Sequence, residues 1–114
     1  MFKLIATDLD GTLLLPVDHI GKFSKKVLSD LIQSGVDVVF ATGKCHADVK
    51  SIVTNLGLPI HLITSNGAEI NSHCNKLKHH SFLEQKLVKR LIDLGANNND
   101  VFINIYTDSN WFIS

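Results

Sequence analysis

Three short apolar runs, Leu4–Thr7, Val36–Ala41 and Ile60–Ile63, are separated from one another by single amphipathic stretches. Continuous apolar runs of this length suit strands buried on both faces, as in a parallel sheet. The intervening stretches carry apolar residues at helical spacing: Val27, Leu28, Leu31 and Ile32 in the first, and Val49, Ile52, Val53 and Leu56 in the second. Ser24 is expected to open the first helix and Gly35 to close it at the C′ position, while Gly57 and Pro59 stop the second. The pattern is strand–helix–strand–helix–strand, with crossovers long enough for parallel pairing. It predicts a doubly wound α/β core.

After Gly67 the rhythm changes. Glu69–Asn71 and Lys76–His80 read as a hairpin around the polar turn Ser72–Asn75. A helix follows, with Leu83, Leu87, Leu91, Ile92 and Leu94 on its apolar face and Gly95 as its stop. Beyond the polar loop Asn97–Asp100, Val101–Tyr106 and Trp111–Ile113 are expected to pair across the turn Asp108–Asn110. Strands joined by short turns imply an antiparallel α+β unit, so the expected organisation is residues 1–67 as one unit and 68–114 as the start of another.

Composition narrows the function. Eleven basic residues balance eleven acidic ones, and the charges are scattered. No basic stripe argues for nucleic acid or anionic membrane. No apolar segment is long enough for a signal region or a membrane span. Cys45 and Cys74 stand apart, which suits a reducing, cytoplasmic setting. Oligomeric state is left open.

Ligands of open parallel sheets bind beyond the carboxyl ends of the strands. Three small polar clusters fall there: Asp8-Leu9-Asp10-Gly11-Thr12, Thr42-Gly43-Lys44 and Thr64-Ser65-Asn66-Gly67. Asp8 and Asp10 are spaced i, i+2, so a persisting strand would point both carboxylates to one face. Such a pair repels unless a cation or proton lies between, which suggests Mg²⁺. Gly11 permits a sharp departure from the strand, and free N–H groups in the turn would make an anion-binding concavity. Together these features describe a phosphoryl site.

The string Leu4-Ile5-Ala6-Thr7-Asp8-Leu9-Asp10-Gly11-Thr12-Leu13-Leu14 resembles the first motif of the haloacid-dehalogenase-like (HAD) phosphatases. A chance match to its Asp, Asp, Gly and Thr at fixed spacing is on the order of one in a thousand for a chain this long. Val39-Phe40-Ala41-Thr42-Gly43 is similar to the second motif, and Ile63–Ala68 to the segment leading into the cap of the Cof-type branch, subfamily IIB. Tyr106 and Trp111-Phe112 look like cap strands of sugar-phosphate and pyridoxal-phosphate phosphatases of that branch. The resemblance implies a Rossmann-like three-layer α/β/α core, partly present, followed by the start of an α+β cap of the C2 type.

It also implies roles. Asp8 would be the nucleophile that forms an aspartyl-phosphate, and Asp10 the general acid and base. Mg²⁺ would be held by the Asp8 carboxylate and the Asp10 carbonyl. Leu9, Gly11, Thr42, Gly43, Lys44 and Asn66 would contact phosphate or substrate, a small phosphorylated metabolite. Lys44 stands where the branch has arginine, which keeps the charge and loses the bidentate fork. The family's later lysine and acidic pair would lie beyond Ser114, so the chain is expected to be a fragment, a truncated gene product or an isolated part of a domain. A phosphomutase-like transferase and a catalytically silent remnant are the competing readings.

Other candidates carry less. His73, Cys74, His79 and His80 match no standard zinc spacing. His46 and Cys45 adjoin the second motif and could contact substrate, though Cys45 has no evident base. His61 alternates with apolar neighbours and is expected to be structural, as are Tyr106, Trp111 and Phe112.

Overall fold

The computed structural model describes residues 1–98, 100–107 and 110–113. Asn99 of the expected polar loop, Asp108 and Ser109 of the expected turn, and Ser114 lie outside the described residues. In chain order the elements are β1 (Leu4–Thr7), β2 (Leu14–Leu15), β3 (His19–Ile20), α1 (Lys22–Gln33), β4 (Asp37–Ala41), α2 (His46–Leu56) and β5 (His61–Thr64). A 3₁₀ turn at Ser65–Gly67 leads to β6 (Glu69–Asn71), β7 (Lys78–His80), α3 (Gln85–Ala96), β8 (Asn104–Tyr106) and β9 (Trp111–Ile113). None of the described helices is long and apolar enough to cross a membrane.

Two compact units result, Met1–His80 and a second from Ser81 onward. In the first, β1, β4 and β5 pair in parallel, with Thr7 opposite Phe40 and Ala41 opposite Ile63. β6 and β7 then extend the same sheet antiparallel, giving the order β1-β4-β5-β6-β7. The hairpin expected to begin the second unit at residue 68 is thus hydrogen-bonded to β5, and the first unit runs to His80. A tight turn at Ser65–Gly67 lets the chain double back beside the strand it has just left, so neighbouring in sequence becomes neighbouring in the sheet.

The core shows why the helices form where they do. Leu28 of α1 and Val49 and Leu56 of α2 pack with Val38, Phe40, Ile60 and Leu62. Val38, Phe40 and Leu62 alternate to one face of the sheet, so both helices cover that face. The described residues therefore build the sheet and one helix layer of the expected arrangement. α1 begins at Lys22, slightly before Ser24. It ends as a Schellman motif: Val36 N–H donates to Leu31 O at 3.1 Å and Gly35 N–H to Ile32 O at 3.0 Å, with Gly35 at φ 84°. Gly57, at φ 69°, ends α2 in the left-handed conformation.

β1 departs from the expectation of burial on both faces. It lies at the sheet edge with only β4 beside it, and Leu4 is 54% exposed. The short hairpin of β2 and β3 is a further addition to the expected elements, since two residues per strand leave no periodic signal.

In the second unit, β8 and β9 pair antiparallel, and Tyr106 stacks on Trp111 across the strands at 5.9 Å. Gly95 lies inside α3 and does not end it. A Cβ there would come within 2.5 Å of Ile103 Cδ1, so the glycine admits that side chain against the helix.

Candidate active site

Because β1, β4 and β5 run parallel, their carboxyl ends emerge on one edge of the sheet. The three polar clusters meet there. Asp8, Ala41, Thr42, Gly43, Ile63, Asn66 and Gly67 line an open cavity of about 380 Å³.

Each lining group is held by local structure. Leu9 is fully buried and anchors the first cluster. Its N–H donates to Asp8 Oδ1 at 2.7 Å, and its carbonyl accepts the N–H groups of Thr12, Leu13 and Leu14. The chain therefore leaves the strand at once and curls through Gly11 at φ 71°, a conformation that suits glycine. Strand geometry stops at Thr7, so the same-face argument for Asp8 and Asp10 does not survive in the folded chain. Leu9 serves the site as an anchor through its side chain, and its N–H is already engaged by Asp8.

Thr42 is buried at the end of β4, and its Oγ1 accepts the Lys44 N–H at 3.2 Å. With a lone pair so occupied, the hydroxyl proton is free to be donated into the cavity. Gly43 is a matter of space: a Cβ would meet Asn66 Oδ1 at 3.1 Å. Asn66 itself sits at φ 56° in the 3₁₀ turn, held by its N–H bond to Thr42 O. Beside Thr42 in the sheet, the fully buried Thr64 hydroxyl has no partner among the described residues.

Lys44 is not among the cavity-lining residues. Its ammonium lies 3.4 Å from Asp10 Oδ1 and 3.4 Å from Asp18 Oδ1. Burial pulls its pKa down, but the two carboxylates outweigh that and hold it above the ordinary lysine value. Asp18, at the tip of the β2–β3 hairpin, is a partner that sequence reading missed.

A polar cluster flanks the site at the start of α2. Asn71 donates to Glu69 Oε1 at 2.8 Å and lies 3.2 Å from His46 Nδ1, and His46 faces Glu69 at 3.5 Å. His46 thus ties α2 to β6. The Cys45 thiol points to Asp48 at 3.2 Å, and burial, with that carboxylate, pushes its pKa up, which disfavours a nucleophilic role. His61 packs edge-on against His73 and faces Asp37, a structural setting. No group of three metal-ligating side chains gathers among the described residues, so the His73, Cys74, His79 and His80 candidates do not assemble.

Asp8 lines the cavity and accepts the Leu9 N–H on one carboxylate oxygen, Oδ1. Mg²⁺ is commonly held by one or two protein oxygens, with water and phosphate completing its shell. The Asp8 carboxylate fits the protein share of that minimal set.

The comparisons with known proteins agree with this geometry. The pattern of the haloacid dehalogenase-like hydrolases matches residues 5–114. A Buchnera aphidicola protein (subsp. Baizongia pistaciae) is 40% identical over 114 residues, covering all of this chain and 43% of that one. Phosphatase YwpJ of Bacillus subtilis is 35% identical over 113 residues, covering 95% of this chain and 40% of that one. A solved haloacid dehalogenase-like hydrolase from B. subtilis superposes with TM-score 0.85 at 32% identity, over 96% of this chain and 38% of that one. The chain thus spans about two-fifths of the length of the relatives it matches. With its sheet order, its strand-end cluster and its sequence pattern in accord, the chain belongs to the haloacid dehalogenase-like hydrolase family.

Proposed function

We propose that this chain carries the nucleophile end of a Mg²⁺-dependent phosphomonoesterase for small phosphate esters, such as sugar phosphates or pyridoxal phosphate. One observation carries the reading: Asp8, Thr42 and Asn66, from three separate strand ends, line one cavity. The matched relatives named as phosphatases support the reaction class.

An Asp8 carboxylate oxygen attacks phosphorus, forming an Asp8–phosphorus bond as the ester oxygen departs with its electron pair. Asp10, whose carboxylate is paired with Lys44 and lies outside the cavity lining, leaves that lysine and takes up a proton to give it to the departing oxygen. Thr42 donates a hydrogen bond from its hydroxyl to a phosphoryl oxygen, aided by nearby backbone N–H groups. Asp10, now ionised, takes a proton from the water that attacks phosphorus, and the phosphorus–Asp8 bond breaks to release phosphate. The Asp8 carboxylate and the Asp10 carbonyl would hold Mg²⁺, which would supply charge to offset the repulsion between carboxylate and phosphate. The segment from Ser81 onward, with its helix and strand pair, is read as the beginning of the cap.

A second reading has its own support. Lys44 is held by two carboxylates, and among the described residues no third metal-ligating side chain gathers with Asp8 and Asp10. On that reading the 114-residue chain binds phosphate without turning it over.

The test is phosphate release by the purified chain beside Asp8→Asn, with and without Mg²⁺, on pyridoxal phosphate and hexose phosphates. Release requiring both Asp8 and Mg²⁺ establishes the phosphatase. A folded chain that binds phosphate without releasing it from any ester establishes the second reading.

A further inference from the structure

The hairpin tip deepens this picture. Val17 and Asp18 both adopt left-handed backbone conformations, at φ 70° and 50°. The turn is closed by His19 Nδ1 against Pro16 O at 2.9 Å. In this shape the tip brings Asp18 to Lys44, although aspartate at an exposed tip would otherwise be expected to face water. Lys44 has three N–H donors, and Asp10 and Asp18 engage its ammonium from positions outside the cavity lining.

We propose that Asp18 is a positioning residue of this site: it holds the Lys44 ammonium beside Asp10 and away from the cavity, so that an incoming phosphate competes with Asp18 for that cation. The inference rests on the reading of the strand-end cavity as a phosphoryl site. The hairpin then acts as a regulator of anion affinity. An occupied cavity draws Lys44 from Asp18 and loosens the tip, and an empty cavity leaves the tip latched. Because the arrangement is an ion pair between partly exposed groups, its effect is moderate.

The test is a titration of the 114-residue chain with inorganic phosphate at fixed Mg²⁺, followed by the amide NMR shifts of Gly43 and Asn66. Asp18→Asn suits it, because asparagine tolerates the left-handed backbone as aspartate does. The expected result is phosphate binding about two- to fivefold tighter in Asp18→Asn, with Asp18→Glu restoring the parent value. In a Lys44→Met background, Asp18→Asn is expected to change nothing, since its effect passes through the lysine.

Equal tightening by Asp18→Asn in the Lys44→Met background overturns the inference, because it shows plain charge repulsion acting from Asp18. Unchanged affinity in Asp18→Asn, with the parent chain binding phosphate, overturns it as well and leaves the phosphoryl site standing. Absence of phosphate-dependent shifts in the parent chain strikes the site reading itself, and the inference falls with it.

Discussion

The backbone N–H of Lys44 donates to Thr42 Oγ1 at 3.2 Å, two residues back along the chain, and this short loop turns a buried threonine into a donor facing the cavity. Removing the hydroxyl at constant shape leaves both the Lys44 N–H and the phosphoryl oxygen without a partner. Thr42→Val is therefore expected to weaken phosphate binding about tenfold, since hydrogen bonds to charged groups contribute roughly 1.5–3 kcal/mol. Thr42→Ser should retain most of the affinity. Phosphate titration of the two variants checks this, and equal losses in both would point to packing instead of the hydroxyl.

Gly43→Ala probes the approach of Asn66. The new methyl would stand 3.1 Å from Asn66 Oδ1, and the exposed amide can give way. A stability change below about 1 kcal/mol is expected, because the clash is with the movable end of a side chain. Phosphate affinity should nevertheless fall as Asn66 leaves the cavity wall. Urea unfolding and phosphate titration together separate the two effects.

Stability should respond in opposite directions at two apolar positions. Phe40 is fully buried between β1, β5 and the helix layer, and Phe40→Ala is expected to cost about 3–5 kcal/mol. Val17 is 93% exposed and holds a β-branched side chain at φ 70°. Val17→Gly removes that strain and should stabilise the chain by about 1 kcal/mol. Urea midpoints of both variants against the parent are the measurement, and a destabilising Val17→Gly would show that the tip is not strained.

The two thiols should separate in reactivity. Cys74 is exposed, and hydrogen bonds from the Lys76 N–H and the Ser72 hydroxyl lower its pKa from the ordinary 9.0. Burial raises that of Cys45. The thiolate is the reactive form, so as pH rises Cys74 ionises first and Cys45 last. Alkylation with iodoacetamide followed by peptide mass mapping should label Cys74 well before Cys45, with rate inflections on opposite sides of pH 9.0. Equal labelling rates would contradict the environments described.

The apolar runs and helical spacing of the first 67 residues, read alone, determined three parallel strands, two helices and the glycine stops at Gly35 and Gly57. They also placed Asp8, Thr42 and Asn66 at strand ends, and the strand-end rule brought these residues to one cavity. Those features depend on periodicity and backbone preference, which act over a few residues and leave a local mark. Tertiary structure decided what depends on distant partners. Whether the Glu69–His80 hairpin joined the core sheet was settled by β5 offering it an open edge. The burial of β1 was settled by which strands stand beside it. His46 meets Asn71 across 25 positions of sequence, and Lys44 reaches both Asp10 and Asp18. A charged side chain near the surface carries no period and little burial, so its partner emerges only when folding sets the two in range.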